Sequence, residues 1–387
     1  MISNVVMTKH RIPKFYLTIL LIFTICIIQG LEAVSASYEV IYKLKTTYVA
    51  VGEGVIDETI FSKTFILAPT INGWQRLLNY TLLVNGKTAN IIVKTDGQKN
   101  KYVTLDKNIK FDGKINLTLI QYIKVETGHS RKKYLPPSND TGQTPQDPRL
   151  LSIKGFWNCS YNNIGFKDLK NLANLLSENT QTRIDYVYRV IEWVNKNTKY
   201  TLGLKEGGIM CPAEFYSLKE GACGDIHAFL TTMLRIKDVP SYLYYSLIYY
   251  GGKNITYQGR DASFHAYNAL PHIFSMAVLD STEFPIDITY SSSSSGQPID
   301  NILYAGANSR ENIIVLYKVI DANPNDYLMV YFPSNNSKVS LYISLTKTVK
   351  LEKRPETGQT ILIVLSLALL ALLILFKPPS TERTYNV

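Results

Sequence analysis

Gly221-Ala222-Cys223-Gly224-Asp225 is followed by apolar residues at Ile226, Phe229, Leu230, Met233 and Leu234, a 3.6-residue recurrence that Val239-Pro240 ends. The pattern predicts a helix that begins at a cysteine. Exposed N–H groups and the macrodipole at a helix start favour negative charge, so they stabilise a thiolate and offer donors to an oxyanion. A nucleophile so placed needs a base, and a His and an Asp lie further along the chain.

Ser263 to Leu270 and Phe274 to Leu279 are short apolar-rich runs separated by Pro271-His272-Ile273, which reads as a turn between antiparallel strands. With the turn centred between His272 and Ile273, His265 faces Asp280 across the pair, at the roughly 5 Å Cβ spacing of cross-strand neighbours. A carboxylate there would orient the imidazole toward the thiol, giving nucleophile, base and orienter. Asp287 competes as orienter. Pairing it with His265 would centre the turn on Met276, inside an apolar run, so Asp280 is preferred.

At these residues the chain resembles the transglutaminase-like cysteine hydrolase superfamily, a papain-like fold group. The family order is Gly-x-Cys-x-Asp opening a helix, an Arg-and-Pro segment, His-Ala-aromatic, then Asp-Pro-Thr at a strand end. It appears here as Gly221 to Asp225, Leu234 to Pro240, His265-Ala266-Tyr267 and Asp280-Ser281-Thr282. Upstream, Ile184, Val187, Ile191 and Val194 form a helix stripe like the one before the family's cysteine. The resemblance spans roughly residues 164 to 320 and implies Cys223, His265 and Asp280 as catalytic residues. The chain departs from the pattern at Tyr267 for Trp, Ala269 for Glu and Ser281 for Pro.

Taken singly, Cys223 reads equally as a buried small hydrophobe, His265 as a core histidine and Asp280 as a turn residue. Their shared order is what argues for catalysis. His227, four residues after Cys223 on one helix face, would make a Cys–His pair for a metal. Five His and four Cys without Cys-x-x-Cys supply no further ligands, so no metal and no cofactor is expected.

Both ends of the chain point to a membrane. Lys9, Arg11 and Lys14 precede an apolar stretch from Phe15 to Ile28, and Val34-Ser35-Ala36 offers a cleavage site, so residues 1–36 read as a signal peptide. Thr360 to Phe376 is an uninterrupted apolar run ended by Lys377, and residues 359–377 are expected to cross the bilayer once, with 378–387 as a cytoplasmic tail. Sequons at Asn79, Asn116, Asn139, Asn158, Asn254 and Asn335 agree with an exterior body. Outside the signal segment three cysteines remain. In an oxidising compartment that predicts one bridge, Cys159–Cys211, with Cys223 left free. The net charge of +10 permits contact with anionic surfaces, whereas nucleic acid is a poor partner for an exported chain.

Period-two runs separated by Asn72-Gly73, Asn85-Gly86, Asp96-Gly97 and Asp112-Gly113 predict hairpins and an all-β sandwich over residues 37–126. Residues 127–150, rich in Pro, Ser and charge, read as a linker. The expected architecture is α+β: the sandwich, the linker, a transglutaminase-like catalytic core over 151–325, a juxtamembrane β extension over 326–358 and the membrane helix. The Ser291 to Ser295 run reads as a loop.

Two functions follow from this reading. One is a surface-anchored cysteine hydrolase or acyltransferase acting on amide bonds of proteins or peptides, a peptidase in preference to a cross-linking enzyme. The other is a catalytically inactive surface binding protein, which the 27 tyrosines, the sequons and Ala269 would suit.

Overall fold

Val40, Tyr42 and Leu44 are buried while Lys43 and Lys45 are exposed, the alternation of a strand with one face on a core. In the computed structural model, which describes residues 38–127, 137, 141–142, 145–202, 208–289, 312–328 and 330–351, these residues belong to a long strand, β1 (Tyr38–Ile56). Residues Glu39–Val349 make up one unit, and Met1–Tyr38 with Lys350–Val387 are assigned to a second. The signal segment, the apolar run at 359–377, the tail and the serine run lie outside the described residues. No helix among the described residues is long and apolar enough to cross a membrane.

The strands that follow are β2 (Gln75–Val84), β3 (Lys87–Thr88), β4 (Ile92–Thr95), β5 (Lys101–Thr104) and β6 (Ile109–Val125). Next come the two-residue β7 (Lys199–Tyr200) and β8 (Glu220–Gly221), then β9 (Ser241–Gln258), β10 (Ala262–Leu279), β11 (Thr282–Ile286), β12 (Ile313–Val319) and β13 (Lys338–Leu351). Among the described residues five helices accompany them: α1 (Glu58–Thr64), α2 (Phe166–Ser177), α3 (Arg183–Asn197), α4 (Pro212–Leu218) and α5 (Cys223–Ile236). Asn85 and Gly86, both at positive φ, make the β2–β3 hairpin that Asn-Gly predicts.

The N-terminal strands do not form a sandwich of their own. One nine-stranded sheet runs β12-β9-β10-β13-β1-β6-β2-β3, with β11 also on β10. The joint is β10. Along one edge it pairs with β9 nearly throughout; along the other it pairs in parallel with β13 over 262–267 and antiparallel with β11 over 275–279. The segment expected as a separate extension thus supplies β13, an interior strand, and Tyr327 closes a 3₁₀ turn (Pro324–Tyr327) ahead of it.

Two apolar clusters fill the unit. One joins α2, α3 and α5 to β9–β12 and includes Trp74 from the N-terminal part. The other joins Tyr48, Phe61 and Leu117 to Trp157, Leu243, Ile273 and Tyr327. Both draw on the whole unit, which is why the expected boundary near 127–150 does not divide the packing. Gly224 through Arg235 of α5 are all buried, as befits a helix enclosed on every side. Arg235 itself donates to the carbonyls of Ser152, Ser241 and Ile320 and lies 4.3 Å from the Trp157 ring, so it ties the segment before α2 to the core.

Candidate active site

Cys223 is the first residue of α5, half-buried, and a free thiol. Asp225 sets the entry of the chain: its Oδ2 accepts from the Ala222 N–H at 2.7 Å and its Oδ1 from the Met210 N–H at 2.6 Å. The carboxylate therefore satisfies a helix-start donor and clamps the incoming 209–210 segment to it. Close packing accounts for the two glycines of the motif. A Cβ on Gly221 would stand 2.6 Å from the Asp225 Cβ, and one on Gly224 would stand 2.8 Å from Cγ1 of Ile209.

His272 is the imidazole at the thiol. It is buried in β10, its Nε2 lies 2.7 Å from Oδ2 of Asp287, and the Cys223 side chain is near enough to help raise its pKa. Asp287 follows β11, and its Oδ1 accepts from the N–H and the hydroxyl of Thr289, each at 3.2 Å. The β10–β11 hairpin brings the two together, because it turns at Asp280-Ser281, both at positive φ, and pairs Ser275 with Ile286.

Burial on its own would drive the proton off His272. The Asp287 charge, the Asp287 hydrogen bond and the Cys223 side chain outweigh burial and hold the imidazolium up to about 10. Asp287 is the mirror case: burial pushes its carboxyl up, and His272 together with the neighbouring His227 brings it well below the usual carboxylate range. Thiol, imidazolium and carboxylate lie together at a helix N-terminus, and such a group can ionise a thiol and return a proton to a leaving group.

His227 lies behind this row. It is fully buried, with Nδ1 3.2 Å from Ser275 Oγ, and Nε2 3.3 Å from Thr289 Oγ1 and 3.6 Å from Asp287 Oδ1. Burial lowers its pKa, with Asp287 opposing. It shares the orienting carboxylate with His272, a position that helix spacing alone does not reveal. Among the described residues no group of three or more His, Cys, Asp or Glu could hold a metal ion.

The structure corrects the sequence assignment of base and orienter. Pro271-His272-Ile273 is no turn, since β10 runs straight through it, and His265 and Asp280 stand 15 residues apart along one extended segment, about 50 Å at 3.3 Å per residue. His265 packs on Tyr342, with ring centroids 4.6 Å apart, and its nitrogens meet Thr256 Oγ1 at 3.2 Å and Ser263 Oγ at 3.1 Å. Asp280 accepts from the N–H and hydroxyl of Thr141 at 2.7 and 2.8 Å and pairs with Arg183 at 3.7 Å. Pro271 is accommodated because the edge of β10 between Tyr267 and Ser275 has no strand partner among the described residues.

A model of the transglutaminase-like superfamily matches residues 170–272, from α2 through the strand that carries His272. Residues 170–272 are a transglutaminase-like domain. No curated protein sequence matches this chain significantly. Among solved structures, a candidate cysteine protease from Cytophaga hutchinsonii is similar at 10% identity and a TM-score of 0.46, over 82% of this chain and 94% of that one. The periplasmic domain of TgpA from Pseudomonas aeruginosa is similar at 13% identity and a TM-score of 0.28, over 67% of this chain and 92% of that one. The transglutaminase-like domain holds Cys223, His227 and His272, and Asp287 lies 15 residues past its end. A signal for the pair was present in the sequence. His272-Ile273-Phe274 is also His-x-aromatic, Asp287-Ile288-Thr289 is also Asp-x-Thr, and their 15-residue spacing equals that of His265 and Asp280.

Cys159 and Cys211 are bridged across 52 residues of sequence, and Cys211 is the N-cap of α4, next to the segment that Asp225 clamps. Of the sequons, Asn79, Asn158, Asn254 and Asn335 are exposed, Asn116 is half-buried, and Asn139 lies outside the described residues.

Proposed function

We propose that this protein is a cysteine hydrolase of amide bonds in proteins or peptides, with Cys223 as nucleophile, His272 as general acid and base, and Asp287 as its orienter. The observation that carries this reading is the buried His272–Asp287 pair, 2.7 Å apart, beside the free thiol that opens α5. The thiolate attacks the carbonyl carbon, donors at the α5 start hold the oxyanion, and His272 gives its proton to the leaving amine. Water then releases the acyl group. A lysine amine in place of water would make a cross-link, and hydrolysis is the preferred course.

The enzyme is further proposed to work outside the cell on a single C-terminal span, its substrates met at the surface. The apolar run, the signal segment and the sequons support that location, and a bridged cysteine pair suits an oxidising compartment. Protease added to intact cells should remove epitopes between residues 38 and 350 and spare those after Lys377.

The chemistry is tested by incubating the full-length protein with p-nitrophenyl acetate and locating the acetyl group by mass spectrometry, with and without a lysine ester as competing amine. A Cys223 thioester lost mainly to water supports a hydrolase. Loss mainly to the amine supports a cross-linker, and no adduct at Cys223 supports the inactive binding protein.

A further inference from the structure

β9 and β2 each stand second from an end of the large sheet, and the short strand outside each leaves part of its outer edge open. β9 pairs with β12 only from Leu243 to Ile248, so from Tyr249 to Gln258 that edge has no strand partner among the described residues. β2 pairs with β3 only at Leu83 and Val84, which leaves Leu78 to Thr81 open in the same sense. An open edge is a template for a strand of another molecule. Each open stretch holds an exposed asparagine that begins Asn-x-Thr: Asn254-Ile255-Thr256 on β9 and Asn79-Tyr80-Thr81 on β2.

The register sets an exposed ring beside both. Asn254 is paired with Tyr267 of β10 and Asn79 with Tyr122 of β6, and these tyrosines are 38% and 39% exposed. Directly opposed residues project from the same side of a sheet with Cβ atoms about 5 Å apart. The adjoining pair on β9 and β10 bears this out, since Thr256 Oγ1 lies 3.2 Å from His265 Nδ1. Asn116 is the contrasting case. It lies on the interior strand β6, half-buried, and its Oδ1 accepts from the buried hydroxyl of Thr118, the threonine of its own triplet.

We propose that Asn79 and Asn254 carry N-linked saccharides whose first sugar packs against Tyr122 and Tyr267, closing both open edges to strands of other molecules. The inference rests on the body of the chain lying outside the cell. In the transfer, the amide Nδ2 attacks the anomeric carbon of a lipid-linked sugar phosphate. The N–C bond forms, the C–O bond to phosphate breaks, the phosphate leaves with the bonding pair, and the amide proton passes to a base of the transferase. A sugar joined to either asparagine stands over the neighbouring ring, where its C–H groups meet the electron-rich face while its hydroxyls stay in water. Its bulk then blocks the hydrogen-bonding groups of the edge, the task that charge, proline or a covering loop performs on other sheets.

The test maps full-length protein, isolated from cells that glycosylate their exported proteins, by mass spectrometry of its proteolytic peptides. A saccharide mass on Asn79 and on Asn254, with Asn116 bare, is the expected result. A bare Asn79 or Asn254 overturns the proposal, and so does Asn116 modified in place of either. If every sequon is bare, protease treatment of the intact cells tells the two failures apart: a digested body keeps the exterior reading and loses the saccharides, whereas a protected body loses both. The stacking is read from unfolding. Tyr267→Ala should raise the unfolding equilibrium constant roughly two- to fivefold more in glycosylated protein than in the Asn254→Gln background, the range of a single cross-strand pair. Equal effects in the two backgrounds overturn the contact and the proposal with it.

Discussion

Nε2 of His272 lies 2.7 Å from Oδ2 of Asp287, and both side chains are buried. Asp287→Asn keeps the shape and removes the charge that holds the imidazolium. The His272 ring, followed by NMR, should titrate near 10 in wild type and fall to its ordinary range or below in the variant. The folded value lies above the unfolded value of about 6.5, so this proton's contribution to stability is complete below that pH and lost as pH rises through about 10. Asp287, whose folded pKa is depressed, contributes above its unfolded value and loses that contribution as pH falls. Chemical denaturation across pH should show the alkaline fall in wild type and a weaker one in Asp287→Asn.

His227 fills a buried site against Ser275, Thr289 and the second oxygen of Asp287. His227→Ala leaves a cavity and unpaired hydroxyls, expected to cost about 2–4 kcal/mol in denaturant unfolding. Alkylation of Cys223 at pH 6 should stay within about tenfold of wild type, because Thr289 still holds Asp287 and His272 keeps its partner.

Gly224→Ala would set a Cβ 2.8 Å from Ile209 and 3.2 Å from Ile273, the neighbour of His272. Overpacking at such a site costs about 1–3 kcal/mol. The variant should unfold at lower denaturant than wild type and lose reactivity at Cys223 as the 209–210 segment is pushed outward.

Reduction of Cys159–Cys211 releases a loop of 52 residues, worth about 4 kcal/mol on the chain-entropy view of disulfides. A Cys159→Ala, Cys211→Ala double variant should show that loss in denaturant unfolding, together with faster proteolysis near residues 208–212.

The start of α5 was legible because a 3.6-residue apolar period is a local property, and so was the β2–β3 turn at Asn85-Gly86. What local pattern misjudged was continuity. Pro271 signals a turn to any window of ten residues, yet β10 passes through it because β9 pairs with the strand on both sides of the proline. Asp280-Ser281, turn-forming residues in their own right, were then spent on catalysis. The single sheet was out of reach for a related reason. It depends on β13 inserting in parallel between β10 and β1, with Ala262 facing Val339, a pairing 77 residues apart that no hydrophobic period announces.

The central claim is that His272, not His265, serves Cys223, and one comparison tests it most directly: the pH dependence of Cys223 alkylation by iodoacetamide in wild type, His272→Ala and His265→Ala, each full-length. Wild type should react at pH 6, where an ordinary thiol of pKa about 8.5 is nearly silent. His272→Ala should lose that low-pH reactivity by on the order of 10²-fold or more, and His265→Ala should keep it. A reactive His272→Ala beside a silent His265→Ala would contradict the account.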